Sequence, residues 1–138
     1  MEVAAVTAPT IAIVDDDAEL LDLLSMVLGD QGWGVLAFTD STAALALLAE
    51  APPTIIMLDL RFGSIRSGWD VLHEVRKTPS LEAIPVILCS GDIEHLREKE
   101  EWLAEQGIAV LPKPFDLDVL DATLEGALKG SVKVLTPV

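Results

Sequence analysis

Five short apolar runs, TIAIV from Thr10, GVLAF from Gly34, TIIML from Thr54, PVILC from Pro85 and IAVLP from Ile108, each precede a stretch with helical spacing. No other feature of the chain constrains its fold as much as this alternation. Runs rich in Val, Ile and Leu that lack polar alternation suit strands buried on both faces, as in a parallel sheet covered by helices. The first helix is read as Ala18–Asp30, with Leu20, Leu21, Leu24, Val27 and Leu28 on one broad face. Ser41 is placed as the N-cap of a helix that ends before Pro52 and Pro53, and the next helix, Trp69–Lys77, stops ahead of Pro79. Asp92–Gln106 reads as one long charged helix ended by Gly107, and Asp116 caps a last helix through Lys129. The expectation is one α/β domain over residues 10–129, with tails at 1–9 and 130–138. Its five-stranded parallel sheet should carry helices on both faces. Right-handed crossovers then bring every strand's C-terminal end to one edge, where open α/β sheets bind ligands.

Composition narrows the function. The 138 residues are 51% hydrophobic, with a mean hydropathy of +0.45. No apolar run approaches the roughly 18 residues that a membrane span needs, so no membrane association is expected. The net charge of −14, from 23 acids against 9 bases, leaves no basic patch to neutralise phosphates, which argues against direct nucleic-acid binding. The same charge favours divalent cations and basic partner surfaces. MEVAAVTAPT has an acid and no Lys or Arg, a poor signal peptide, and the single Cys89 excludes an internal disulfide. A cytoplasmic location is expected.

The strand ends hold the chemistry. Asp15, Asp16 and Asp17 follow the first run, Asp59 the third, Ser90 and Gly91 the fourth, and Lys113 with Pro114 the fifth. Each has an ordinary reading: helix caps and dipole partners for the acids, turn residues for Ser90 and Gly91, a solvated lysine for Lys113. Their convergence on one sheet edge favours a site. Asp15, Asp16 and Asp59 place three negatives against one lysine. Carboxylates with carbonyls and water are the ligands that Mg²⁺ prefers.

The set VDDD, IIMLDL, GWDVL, PVILCSG and LPKPF, in this order and spacing, resembles the receiver domain of bacterial two-component response regulators over about residues 10–129. The resemblance implies the flavodoxin-like strand order 2-1-3-4-5. It implies that Asp59 accepts a phosphoryl group from the phosphohistidine of a histidine kinase or histidine phosphotransfer protein. Asp15, Asp16, Asp59 and the backbone carbonyl of Arg61 would hold Mg²⁺, with Lys113 and Ser90 contacting the phosphoryl oxygens. Arg61 and Asp92 would tune the lifetime of the phosphorylated state, with Gly91 beside them, and a cis peptide would precede Pro114. The output is a switch in binding to an unnamed protein partner; homodimers are common in the family.

Two departures stand out. The position three before the lysine, usually aromatic, is Val110, and the chain has no tyrosine. The loop RFGSIRSG replaces the common Met-Pro with Phe62–Gly63 and carries Arg61 and Arg66. These leave a rival reading, a pseudo-receiver that acts unphosphorylated as a protein-interaction module. An aspartyl-nucleophile phosphatase places Asp-x-Asp after its first strand, whereas Asp59–Leu60–Arg61 lacks the second acid and follows the third; a flavin carrier needs a hydroxyl-rich loop after the first strand, where this chain has only acids. His73 and His95 lack metal-ligand spacing and read as surface residues. Ile93, Leu96 and Leu103 form the core stripe of the charged helix. Trp102 lies to one side, open to a packing or a partner role.

Overall fold

A computed structural model of the chain describes residues 8–60 and 68–129. In chain order the elements are β1 Thr10–Val14, α1 Ala18–Asp30, β2 Gly34–Phe38, α2 Ser41–Glu50, β3 Ile55–Asp59 and α3 Gly68–Lys77. They continue as β4 Val86–Ser90, α4 Ile93–Glu98, α5 Glu100–Glu105, β5 Ala109–Pro112 and α6 Leu117–Leu128. The strands form one parallel sheet in the order β2-β1-β3-β4-β5. This is the flavodoxin-like arrangement.

The continuous apolar runs have their cause in this sheet. Alternate residues of each strand point to opposite faces. Ala12, Val14, Ile56, Leu58, Val86 and Leu88 pack beneath α2, α3, α4 and α5. Ile11, Ile13, Ile55, Met57, Ile87 and Cys89 pack beneath α1 and α6, against Leu24, Leu28, Leu120 and Leu124. Both faces are therefore core. Among the described residues no helix is long and apolar enough to cross a membrane.

Local signals set the helix ends. Asp17 caps α1, its Oδ1 accepting from the Leu20 N–H at 3.2 Å. Gly32, at φ +97°, turns the chain out of α1, and Gly107, at φ +71°, does the same after α5. Asp116 caps α6 through the Val119 N–H at 2.9 Å.

Two expectations are corrected. The cap of α2 is Asp40, whose extended backbone lets Oδ1 accept from the Thr42 N–H at 2.9 Å; Ser41 is the first helical residue. Two good capping residues stand side by side, and the one that stays extended takes the role. The segment after β4 is not one helix but two. It breaks at Lys99, where the Lys99 N–H turns back to the Leu96 carbonyl at 3.2 Å in a tight three-residue closure. Leu96 and Leu103 both stay on the core through this break, so the apolar pattern gives no sign of it. The sequence regions 1–7, 61–67 and 130–138, which hold the expected N-terminal tail up to Thr7, the RFGSIRSG loop up to Ser67 and the expected C-terminal tail, lie outside the described residues.

Candidate functional site

Because every strand is parallel, their carboxyl ends share one edge. β1 runs into Asp15, whose N–H donates to the Phe38 carbonyl at 3.0 Å. β3 ends in Asp59 and β4 in Ser90, and the Lys113 N–H after β5 donates to the Ser90 carbonyl at 2.8 Å. The fold thus brings Asp15, Asp16, Asp59, Ser90 and Lys113 to a single edge.

Lys113 Nζ lies 2.7 Å from Asp15 Oδ2 and 3.4 Å from Asp59 Oδ2. The other oxygen of Asp15 accepts from the Asp17 N–H at 2.9 Å, so both of its oxygens are held. Asp15 is 3% exposed, Asp59 7% and Ser90 1%, while Asp16 is exposed to solvent. Asp15, Asp16 and Asp59 each offer an oxygen within 4.8 Å of the others. Two buried carboxylates and a third at the rim, met by one ammonium group, leave an excess of negative charge. Oxygen-only donors at this spacing fit a hard divalent cation.

Burial alone would push the Lys113 ammonium down, but the hydrogen bond it donates to Asp15 and the charges of Asp15 and Asp59 outweigh it and hold the group above its ordinary range. Burial pushes the Cys89 thiol well up; the nearby Lys113 works against that shift, and Asp59 and Asp15 add to it. Cys89 is paired in register with Asp59 and buried.

Ser90 Oγ accepts from the Asp92 N–H at 3.0 Å, which folds the start of the next segment back over the strand end. Gly91 is exposed, and a Cβ there would meet nothing within 4 Å. Val110 is half-buried on β5 and packs on the core beneath α2–α5. The Lys113–Pro114 peptide is cis. Arg61, expected both as a metal ligand and as a tuning residue, lies outside the described residues, as does the side chain of His95; His73 is exposed.

Two features escaped the sequence reading. A Cβ on Gly68 would lie 2.3 Å from the Asp59 carbonyl oxygen and 2.6 Å from Leu60 Cα, so only glycine lets α3 start against the end of β3. The glycine itself is visible in the sequence, but the backbone it lies against is not. The second feature is a ring contact between Trp69 and Trp102, with centroids 6.3 Å apart and planes at 61°. Beside the site, an open groove of about 790 Å³ lies between α1 and the start of α6, lined by Leu20, Leu23, Lys113, Phe115 and Leu117.

Known proteins match this arrangement. The family model of the response regulator receiver domain matches residues 11–125. The chain is 29% identical to the probable transcriptional regulatory protein TcrX of Mycobacterium tuberculosis, over 87% of this chain and 50% of TcrX. It is 31% identical to the transcriptional regulatory protein CpxR of Klebsiella pneumoniae, over 88% of this chain and 50% of CpxR. The chain thus spans about half the length of these relatives. Among solved structures, the chemotaxis response regulator CheY4 of Vibrio cholerae superimposes with a TM-score of 0.77 at 25% identity, covering 88% of this chain and 99% of that one. NtrX from Brucella abortus gives a TM-score of 0.75 at 30% identity, over 88% of this chain and 27% of NtrX. Fold, site edge and family match agree: the chain belongs to the receiver domains of two-component response regulators, signalling phosphoacceptor domains rather than classical enzymes.

Proposed function

We propose that the domain accepts a phosphoryl group on Asp59 from a histidine kinase or histidine phosphotransfer protein, with Mg²⁺, and thereby switches the binding of a protein partner. The observation that carries this reading is the buried Asp15–Lys113–Asp59 cluster with Asp16 at its rim. An Asp59 carboxylate oxygen attacks the phosphorus, the P–N bond to the donor imidazole breaks, and an acyl phosphate forms. Such a transfer needs positioning and charge stabilisation more than acid–base chemistry. Asp15, Asp16 and Asp59, with the Arg61 carbonyl, would hold Mg²⁺; its contribution when bound is neutralisation of charge at the phosphoryl oxygens. Lys113, already within 3.4 Å of Asp59, supplies a fixed positive charge at the incoming group. The Ser90 hydroxyl turns from the Asp92 N–H to a phosphoryl oxygen. Arg61, Gly91 and Asp92 set how readily water reaches the acyl phosphate and reverses the modification.

The apolar groove beside Lys113 offers the phosphodonor protein a seat next to the nucleophile. The acidic surface supports a protein target rather than nucleic acid. The single buried cysteine is consistent with action in the cytoplasm. The test is intact-mass measurement after exposure to a small-molecule phosphodonor, with and without Mg²⁺. We expect gain of one phosphoryl group that requires Mg²⁺ and is lost in Asp59→Asn. No gain under any condition would replace this reading by a pseudo-receiver, to which Val110 also points.

A further inference from the structure

The two edges of the sheet are guarded differently. β5 is four residues long, ends in Pro112, and is followed by Lys113 and the cis Pro114. Shortness, a proline and a lysine all blunt an edge against pairing. β2, the opposite edge, has neither proline nor charge: GVLAF is apolar throughout, and no described strand lies on its outer side. Leu36 is 39% exposed, and Ala37 is exposed beside it. The backbone shows which groups face outward. The Gly34 N–H donates to the Pro9 carbonyl at 2.9 Å, and the Phe38 carbonyl accepts from the Asp15 N–H at 3.0 Å. Gly34, Leu36 and Phe38 therefore turn their peptide groups toward β1, and by alternation Val35 and Ala37 turn theirs away from the sheet. Charge singles out the same region. The chain carries −14 overall, yet residues 31–49 hold a single charged residue, Asp40. Few like charges oppose the approach of a second acidic copy there.

We propose that this edge is a self-association surface: two copies of the chain pair their β2 strands antiparallel about a two-fold axis at Leu36. The donor and acceptor pattern is self-complementary in that register. Val35 of one copy exchanges both of its peptide hydrogen bonds with Ala37 of the other, and Ala37 with Val35. Leu36 faces Leu36 across the axis at a non-hydrogen-bonded position, where side chains stand closest. Leu36 is in register with Ala12, so it stands on the sheet face covered by α2. Leu47 of α2, 57% exposed, adds apolar surface on that face. The pairing joins the two five-stranded sheets into one. Such a contact uses the same patch on both copies and closes on itself, so it ends at a dimer. It needs nothing from Asp59 and stands apart from the phosphoryl-transfer reading.

Analytical sedimentation of the full chain is the test. An edge pair with a few leucines is a small contact, so the dimer, at twice the 14.8 kDa chain mass, should dissociate at roughly tens of micromolar. Added salt should tighten it by screening the like charges of the two copies. Leu36→Glu should weaken dimerisation by about tenfold or more, and so should Leu36→Lys, since each sets like charges face to face. Mixing the two variants should restore a dimer, because opposite charges then meet across the axis. Ala37→Pro removes an outward donor without touching a bond to β1, and should also give a monomer. Hydrogen exchange on the parent chain needs no variant: the Val35 and Ala37 amides should exchange fast when dilute and slow down as the dimer forms. A parent chain that keeps the single-chain mass at about 500 µM and about 0.5 M salt overturns the proposal. A dimer that all three variants leave intact also overturns it, by placing the contact on another face. A mixture of the two Leu36 variants that stays monomeric refutes the register. Val35 and Ala37 amides already protected in the dilute chain would mean that another segment of the chain covers the edge, and the proposal would fall.

Discussion

Helix α1 and the α4–α5 segment both leave strands that end in site residues, yet they are built differently. α1 is a single helix of 13 residues, capped by Asp17, closed by Gly32, and anchored by Leu21, Leu24 and Leu28. The segment after Ser90 is two helices of 6 residues each, with no side-chain cap at Lys99. Helices so short do not stand alone in water, and these hang on the core through Leu96 and Leu103. The difference is one of anchoring: the carboxylates after β1 are followed by one long capped helix, whereas Ser90 is followed by two short ones held by packing alone.

One large effect should come at the β3–α3 junction, which lies between the two regions in the sheet. Gly68→Ala forces a methyl group onto the Asp59 carbonyl, and backbone has little freedom to yield. We expect a loss of about 3 kcal/mol in urea unfolding, together with impaired phosphorylation; a loss near zero would mean that α3 can move away from β3 freely. Next come matched core deletions. Leu24 and Leu103 are each 1% exposed. Leu24→Ala should cost about 3–4 kcal/mol and Leu103→Ala about 2, because α5 can settle into the space and α1 cannot. Equal losses would erase the contrast.

The caps give a smaller test. Asp17→Ala should cost about 1 kcal/mol, whereas Lys99→Ala, with no cap bond to lose, should stay within about 0.5 kcal/mol. Alkali gives the last. Cys89 lies under α1 and α6, and burial holds its thiol above the ordinary value. The unfolded thiol therefore ionises first, and stability present below about pH 8.5 declines as pH rises beyond it. Lys113, also held above its ordinary value, acts in the same direction: its contribution is intact below about pH 10.4 and is lost as pH rises through the folded value. Unfolding midpoints measured from pH 7 to 11 should hold to about pH 8.5 and fall beyond it, and Cys89 should resist alkylation at neutral pH until the α1 layer opens.

Much of this architecture can be read from residue order because its causes are local or repetitive. Buried-both-sides strands announce themselves as unbroken Val/Ile/Leu runs. Of the three acids after β1, Asp17 serves as a helix cap while Asp15 and Asp16 meet Asp59, so one triplet divides between a cap and a carboxylate cluster. The strand order itself came from family resemblance, since alternation fits several orders. What stayed hidden depends on one bond or on distance. Whether Asp40 or Ser41 caps α2 turns on which backbone is extended, and the break at Lys99 turns on a single carbonyl. The Trp69–Trp102 contact joins different layers of sequence, and neither residue's neighbours mark it.

Chain order adds a consequence for biosynthesis. Asp15, Asp16 and Asp59 are made early, whereas Lys113, which balances them, lies just past the last strand. A nascent chain that has emerged only as far as β4 holds three like charges and lacks its cation. The cluster is therefore completed only past the final strand, and a chain ending at β4 carries the aspartates without the lysine that pairs with them.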